Sequence, residues 1–151
     1  MKRLAFLLIV VLIPSALADQ PATYWPKDKL AGYSISLDSK VEDNVAIERL
    51  GEFGSHFALM VHRTGTGTSE SHEADTDFYI VQAGEATLHI GGEIVDPKTV
   101  SPGEVRGTSI KGGKTVMLKA GDTVNIPPAT PHHVVIAPGK SITYMIVKVH
   151  K

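Results

Sequence analysis

The chain has 151 residues, 42% hydrophobic and 21% charged, with 15 basic and 16 acidic side chains, a formal charge of −1 and no cysteine, which is the composition of one soluble domain. Near-neutral charge and 6% aromatic content offer neither a basic face nor a stacking platform, so nucleic acid is excluded as a partner. Without cysteine, disulfides, thiolate nucleophiles and sulfur-ligated metal sites are excluded together, so any site has to use histidines, carboxylates or hydroxyls.

Residues 1–18 read as an address. Lys2-Arg3 precede an apolar run from Leu4 to Ile13, and Ala16 and Ala18 form an A-x-A pattern before Asp19. These are the three parts of a secretory signal peptide, and the expected cleavage lies between Ala18 and Asp19. The apolar run is about half the roughly 20 residues that a membrane span needs, so the mature form is expected to be periplasmic or secreted, with no stable membrane anchor. Residues 19–44 are expected to form an N-terminal arm and a first strand. The polar, proline-bearing stretch 19–29 is the arm, and Tyr33, Ile35 and Leu37 alternate with small or polar residues at the period of a half-buried strand. Residues 39–44 hold a Ser39-x-x-Glu42 capping pattern that opens no long helical stripe.

From residue 45 to the end the pattern is short strands and turns. Strands are expected at 45–50, 55–63, 77–82, 85–90, 115–118, 123–126, 132–137 and 141–149. Their number and spacing predict an all-β sandwich or barrel, the jelly roll among them. The stretch 91–114, rich in glycine and charge, reads as a long exposed excursion, part of which can pair as an extra hairpin.

Two segments carry chemistry. Glu70 and His72 lie two apart, so on a strand both leave one face. If residues 73–76 make a hairpin loop, Asp77 faces the same space from the next strand. Downstream, three prolines between Ile126 and His132 fix the direction in which His132 enters its strand. Other schemes lack parts: Ser69 and Ser71 have no G-x-S-x-G elbow, and the Gly65-Thr66-Gly67 stretch lacks the Lys-Ser/Thr ending of a phosphate loop.

These segments resemble the paired motifs of the cupin superfamily. The first stands as Glu70-x-His72-x4-Asp77-x6-Gly84, and the second as Gly121-x5-Pro127-x-Ala129-x2-His132-x3-Ile136. Five positions depart from the family pattern: Glu70 replaces a His, Asp77 a Glu, Ala129 a Gly and Ile136 an Asn, and the upstream glycine is displaced, at Gly65. The resemblance implies a cupin-type double-stranded β-helix, or jelly-roll barrel, over 45–151. It also implies metal ligation by Glu70, His72, Asp77 and His132, with Asp77 one methylene shorter than the family's Glu. Mixed oxygen and nitrogen ligation suits a divalent transition metal, iron, manganese, nickel, cobalt or zinc. Tyr79, two residues after Asp77, and His62 are further candidates for the lining of a ligand pocket. His133 is expected to face away from the site, and His89 outward.

The resemblance further implies a small polar molecule as ligand and either metal-dependent catalysis of a dioxygenase, isomerase or lyase kind, or noncatalytic binding of a ligand or metal. Pairing through edge strands as a homodimer belongs to the same expectation. Fold alone does not choose a reaction.

Overall fold

The computed structural model describes residues 22–150. The expected signal peptide and its cleavage point lie outside the described residues. A helix α1 (Lys27–Ser36) and a 3-10 turn (Asp38–Lys40) come first. Twelve strands follow: β1 (Val45–Glu52), β2 (His56–Arg63), β3 (Ser69–His72), β4 (Asp75–Ile90), β5 (Glu93–Val95), β6 (Lys98–Ser101), β7 (Glu104–Gly107), β8 (Ser109–Lys111), β9 (Lys114–Lys119), β10 (Thr123–Ile126), β11 (His132–Val135) and β12 (Ile142–His150).

The first departure from the sequence reading is α1, which forms where a strand was expected. Tyr33 and Leu37, four apart, fit helical as well as alternating spacing, whereas Leu30, three before Tyr33, fits the helix alone. The helical choice buries Tyr33 and Leu37 against Ala46, Met60 and Met145 and leaves Ile35 80% exposed. Pro26 opens the helix and Asp28 sits in its first turn, where a carboxylate complements the positive end of the dipole. Trp25 joins the same cluster and meets the Phe53 ring edge-on at 6.0 Å.

All strand pairings are antiparallel among the described residues. The main sheet runs β1-β2-β12-β4-β11-β3-β7-β6, with β9 and β10 also on β4. It curls around a core of Val61, Tyr79, Val81, Leu88, Ile126, Val134, Ile142, Tyr144 and Ile146. The opposite face of β2 and β12 carries the helix-covered cluster.

β4 joins the two sides of the curl. Its first part lies between β12 and β10, its second between β11 and β9. The sequence suggested two strands broken near Gly84, but the chain continues through a bulge opposite Thr143 and Tyr144. Bulging shifts the inward-facing set from Asp77, Tyr79 and Val81 to Ala86 and Leu88. Gly84 has φ +74°, and a Cβ there would lie 2.0 Å from the Ser141 carbonyl oxygen. No larger residue fits.

The 91–114 excursion is ordered into four short strands. β5 pairs with β8, while β6 and β7 form a hairpin that extends the main sheet through β3. Strands of three or four residues are too short to print a period-two pattern, so most of this was illegible in the sequence. Another departure concerns the link between β3 and β4. The two strands are not hydrogen-bonded partners. Residues 73–74 carry the chain across the curl, pinned by the Glu73 N–H donating to the Gly103 carbonyl at 2.8 Å.

Candidate metal centre

β3 and β11 run side by side with His132 opposite Glu70, and β3 alternation puts His72 on the face shared with Glu70. Asp77 reaches the same space from the start of β4. The structure thus brings Glu70, His72, Asp77 and His132 together, with one ligand atom from each within 4.8 Å of all the others. His72, Asp77 and His132 are buried, and the Glu70 side chain is 14% exposed.

The two imidazoles are oriented alike by different means. His132 Nδ1–H donates to the Thr130 carbonyl oxygen at 2.9 Å, and His72 Nδ1–H to the Glu104 carboxylate at 2.7 Å. Each ring therefore presents Nε2 to the centre. His132 Nε2 lies 3.2 Å from Glu70 Oε1. Asp77 Oδ2 is 3.5 Å from His72 Nε2 and 3.6 Å from His132 Nε2, distances too long for hydrogen bonds. Asp77 Oδ1 accepts from Lys148 Nζ at 2.6 Å, which leaves Oδ2 as the oxygen facing the centre. Burial pushes the Asp77 carboxyl up, but the contacts with His132 and His72 and the Lys148 ammonium outweigh it and hold the group well below the usual carboxylate range.

Three functional residues were missed by the sequence reading: Lys148 on β12, which holds Asp77, and two on β7. Glu104 orients His72, and the Arg106 guanidinium grips Glu70 and lies 3.5 Å from Glu104. Their alternation with Val105 was the available signal, hidden in a stretch read as an exposed excursion. The turn before His132 has its own constraint. Ala129, standing where the motif has Gly, adopts φ +56°, a left-handed conformation that costs an alanine about 1 kcal/mol. Its N–H donates to the His72 carbonyl at 2.6 Å, tying the second motif to the first.

The remaining candidates separate. Tyr79 is fully buried beneath the centre, its ring edge-on to His132 at 6.3 Å, and its hydroxyl has no hydrogen-bond partner among the described residues. His62 lies on the outer face of β2, away from the barrel interior. There its Nδ1 meets Thr143 Oγ1 at 2.8 Å and its Nε2 faces Asp38 at 3.4 Å. His133 also faces away and donates from Nε2 to the Gly67 carbonyl at 2.9 Å. Burial pushes its pKa down. His89 is half-buried beside it.

Whether these residues fit a metal ion can be tested on their own geometry. Among the described residues His72 Nε2 and Asp77 Oδ2 are buried without a hydrogen-bond partner, an expensive state unless a cation or proton fills the space between them. Two imidazole nitrogens and two carboxylate oxygens converging on one point form a hard-to-borderline donor set with formal charge −2, suited to a divalent transition ion. The residues fit.

No protein-family model matches the sequence, and no curated protein matches it either. Solved structures do resemble the fold. A cupin protein from Bacteroides fragilis aligns with a TM-score of 0.50 at 17% identity, over 73% of this chain and 80% of that one. Streptomyces Pac13, described as a unique nucleoside dehydratase, aligns at 0.52 and 12% identity, over 73% and 72%. The iron(II) form of HppE aligns at 0.53 and 18% identity, over 70% of this chain and 51% of that one, so the present chain spans about half of HppE.

Proposed function

The chain has the cupin fold, and on that premise we propose that it is a periplasmic or secreted metal-dependent enzyme acting on a small polar molecule. The observation that carries this reading is the pair of orphaned buried atoms, His72 Nε2 and Asp77 Oδ2, facing one another between Glu70 and His132. A divalent transition ion held by Glu70, His72, Asp77 and His132 supplies Lewis-acid polarisation of a substrate oxygen and, if it is iron, oxygen chemistry. HppE, a protein of similar fold in its iron(II) form, supports this reading.

The chain's own residues supply the rest. Glu104 and the Thr130 carbonyl hold each histidine as the tautomer that presents Nε2. An outer carboxylate on a ligating histidine also raises its basicity. Lys148 neutralises one Asp77 oxygen and keeps the other directed inward. Arg106 anchors Glu70. The aliphatic lining below, from Val81 to Ile146, keeps water away from the inner side, where electrostatic interactions are strengthened.

The test is elemental analysis of the protein purified without chelator or affinity tag, beside His132→Ala. Near-stoichiometric transition metal in the first and its loss in the second, with the melting transition retained, is the expected result. Equal metal content in the two proteins would remove the assignment.

A further inference from the structure

The basic groups of the barrel interior are unequal in their partners. Arg106 and Lys148 each lie against a carboxylate. Arg63, half-buried at the end of β2, makes one side-chain hydrogen bond among the described residues, from Nε to the Tyr144 hydroxyl at 3.0 Å, and enters no ion pair there. A guanidinium has five N–H donors in a planar fork, and among the described residues the Nη groups of Arg63 make no hydrogen bond to a protein acceptor.

What those donors face is informative. Nη1 lies against Gly67, where an added Cβ would come within 2.5 Å of it. Gly67 is also part of the wall of an open cavity of about 650 Å³, along with Thr68, Lys98, Val100, Arg106 and Thr108. The acid in that wall, Asp96, is already engaged by the Thr108 hydroxyl at 3.2 Å. Arg106 is the partition between cavity and metal centre, since it lines the first and grips Glu70 in the second. Gly67, against which Arg63 Nη1 lies, and Arg106 share the cavity wall, so Arg63 stands at the Gly67 edge of the space that Arg106 lines. Behind them the Tyr79 hydroxyl is buried without a partner among the described residues, and its ring lies 4.8 Å from that of Tyr144.

We propose that Arg63 and Arg106, with Lys98 at the rim, form an anion subsite beside the metal centre, and that the molecule this site takes is a small organic acid whose carboxylate docks on Arg63. The inference deepens the metal-dependent reading and rests on it for the fate of the rest of the molecule, which extends past Arg106 toward Glu70 and His132. A planar fork with free donors suits a carboxylate in bidentate geometry. Once a divalent ion sits among the carboxylates, the charge around Arg63 and Arg106 becomes more positive still, which favours an anion over a neutral polar ligand.

The subsite is tested by calorimetric titration of malonate, malonamide and inorganic phosphate into the purified protein, before and after loading with manganese. Malonate is expected to bind and its neutral diamide not to. Arg63→Gln is expected to weaken malonate about tenfold or more, the loss of a charge-assisted pair, with metal content and melting transition unchanged. Gly67→Asp places a carboxylate against Nη1 with Arg63 retained, and is expected to weaken malonate likewise, which keeps the test open if Arg63→Gln unfolds. Malonate binding to a protein that takes up no manganese on loading supports the subsite while sinking the metal reading. The proposal falls if malonate binds in neither state, if malonamide binds equally, if phosphate binds more tightly than malonate, or if both variants bind as the parent does.

Discussion

Two buried histidine environments lie on opposite sides of the curled sheet, and at first sight they are alike. On the outer face, His62 is 3% exposed, hydrogen-bonded to Thr143 and close to one carboxylate, Asp38, whose side chain is 68% exposed. On the inner face, His132 is 1% exposed, hydrogen-bonded to a carbonyl oxygen and close to Glu70 and Asp77. The difference lies in what converges. The outer histidine meets one acid that remains in water, where an ion pair is worth little. The inner one meets three further ligand-type groups from two other strands, two of them buried. A buried histidine beside a carboxylate is thus no site by itself; what makes one is several donors facing a common point, with His72 Nε2 and Asp77 Oδ2 left unsatisfied there among the described residues.

The comparison can be broken at either face. The largest stability effect is expected from Leu37→Ala, which removes the 1% exposed side chain under the helix and should cost about 2–5 kcal/mol. Metal content should not change, and a loss of metal would show the two faces to be coupled. Glu104→Gln should lower metal affinity by roughly 10–100-fold, read by competition with a chelator, at little cost in stability. An unchanged affinity would mean that His72 needs no carboxylate behind it. His62→Gln disturbs one buried hydrogen bond and should cost about 1 kcal/mol with metal affinity intact. Any effect on metal would move His62 from the outer face to the site.

The smallest effect concerns the phenols of the inner face. Burial raises the pKa of Tyr79 and of Tyr144, the latter against the opposing pull of Arg63. Their folded values lie above the unfolded value of about 10. The stabilisation is complete below that pH and is lost as pH rises through the folded values. Ultraviolet titration should show a late phenolate component that accompanies unfolding and shrinks in Tyr144→Phe. Full ionisation near pH 10 in the native protein would contradict the buried placement.

Much of the centre was legible because it depends on short-range rules. Glu70 and His72 share a face by the two-residue period of a strand, and the proline-rich turn before His132 announces itself. Asp77 converges as expected, though by crossing the curl rather than through a hairpin. The N-terminal segment was misread because Tyr33 and Leu37 satisfy two periods, and tertiary packing against Met60 and Met145 decides between them. Glu104 and Arg106 were missed for a different reason. β7 is four residues long and takes its meaning from pairing with β3, a long-range fact that no local pattern encodes.

β4 makes the metal centre a kind of calliper. Asp77 rides on the arm paired with β12, and His132 on the strand paired with the other arm, so the 3.6 Å opening between Oδ2 and Nε2 is set by how sharply one strand bends between them. The pivot is the bulge before Gly84, several residues from either jaw. The ligand atoms thus converge across a break in the ladder and not along one straight strand.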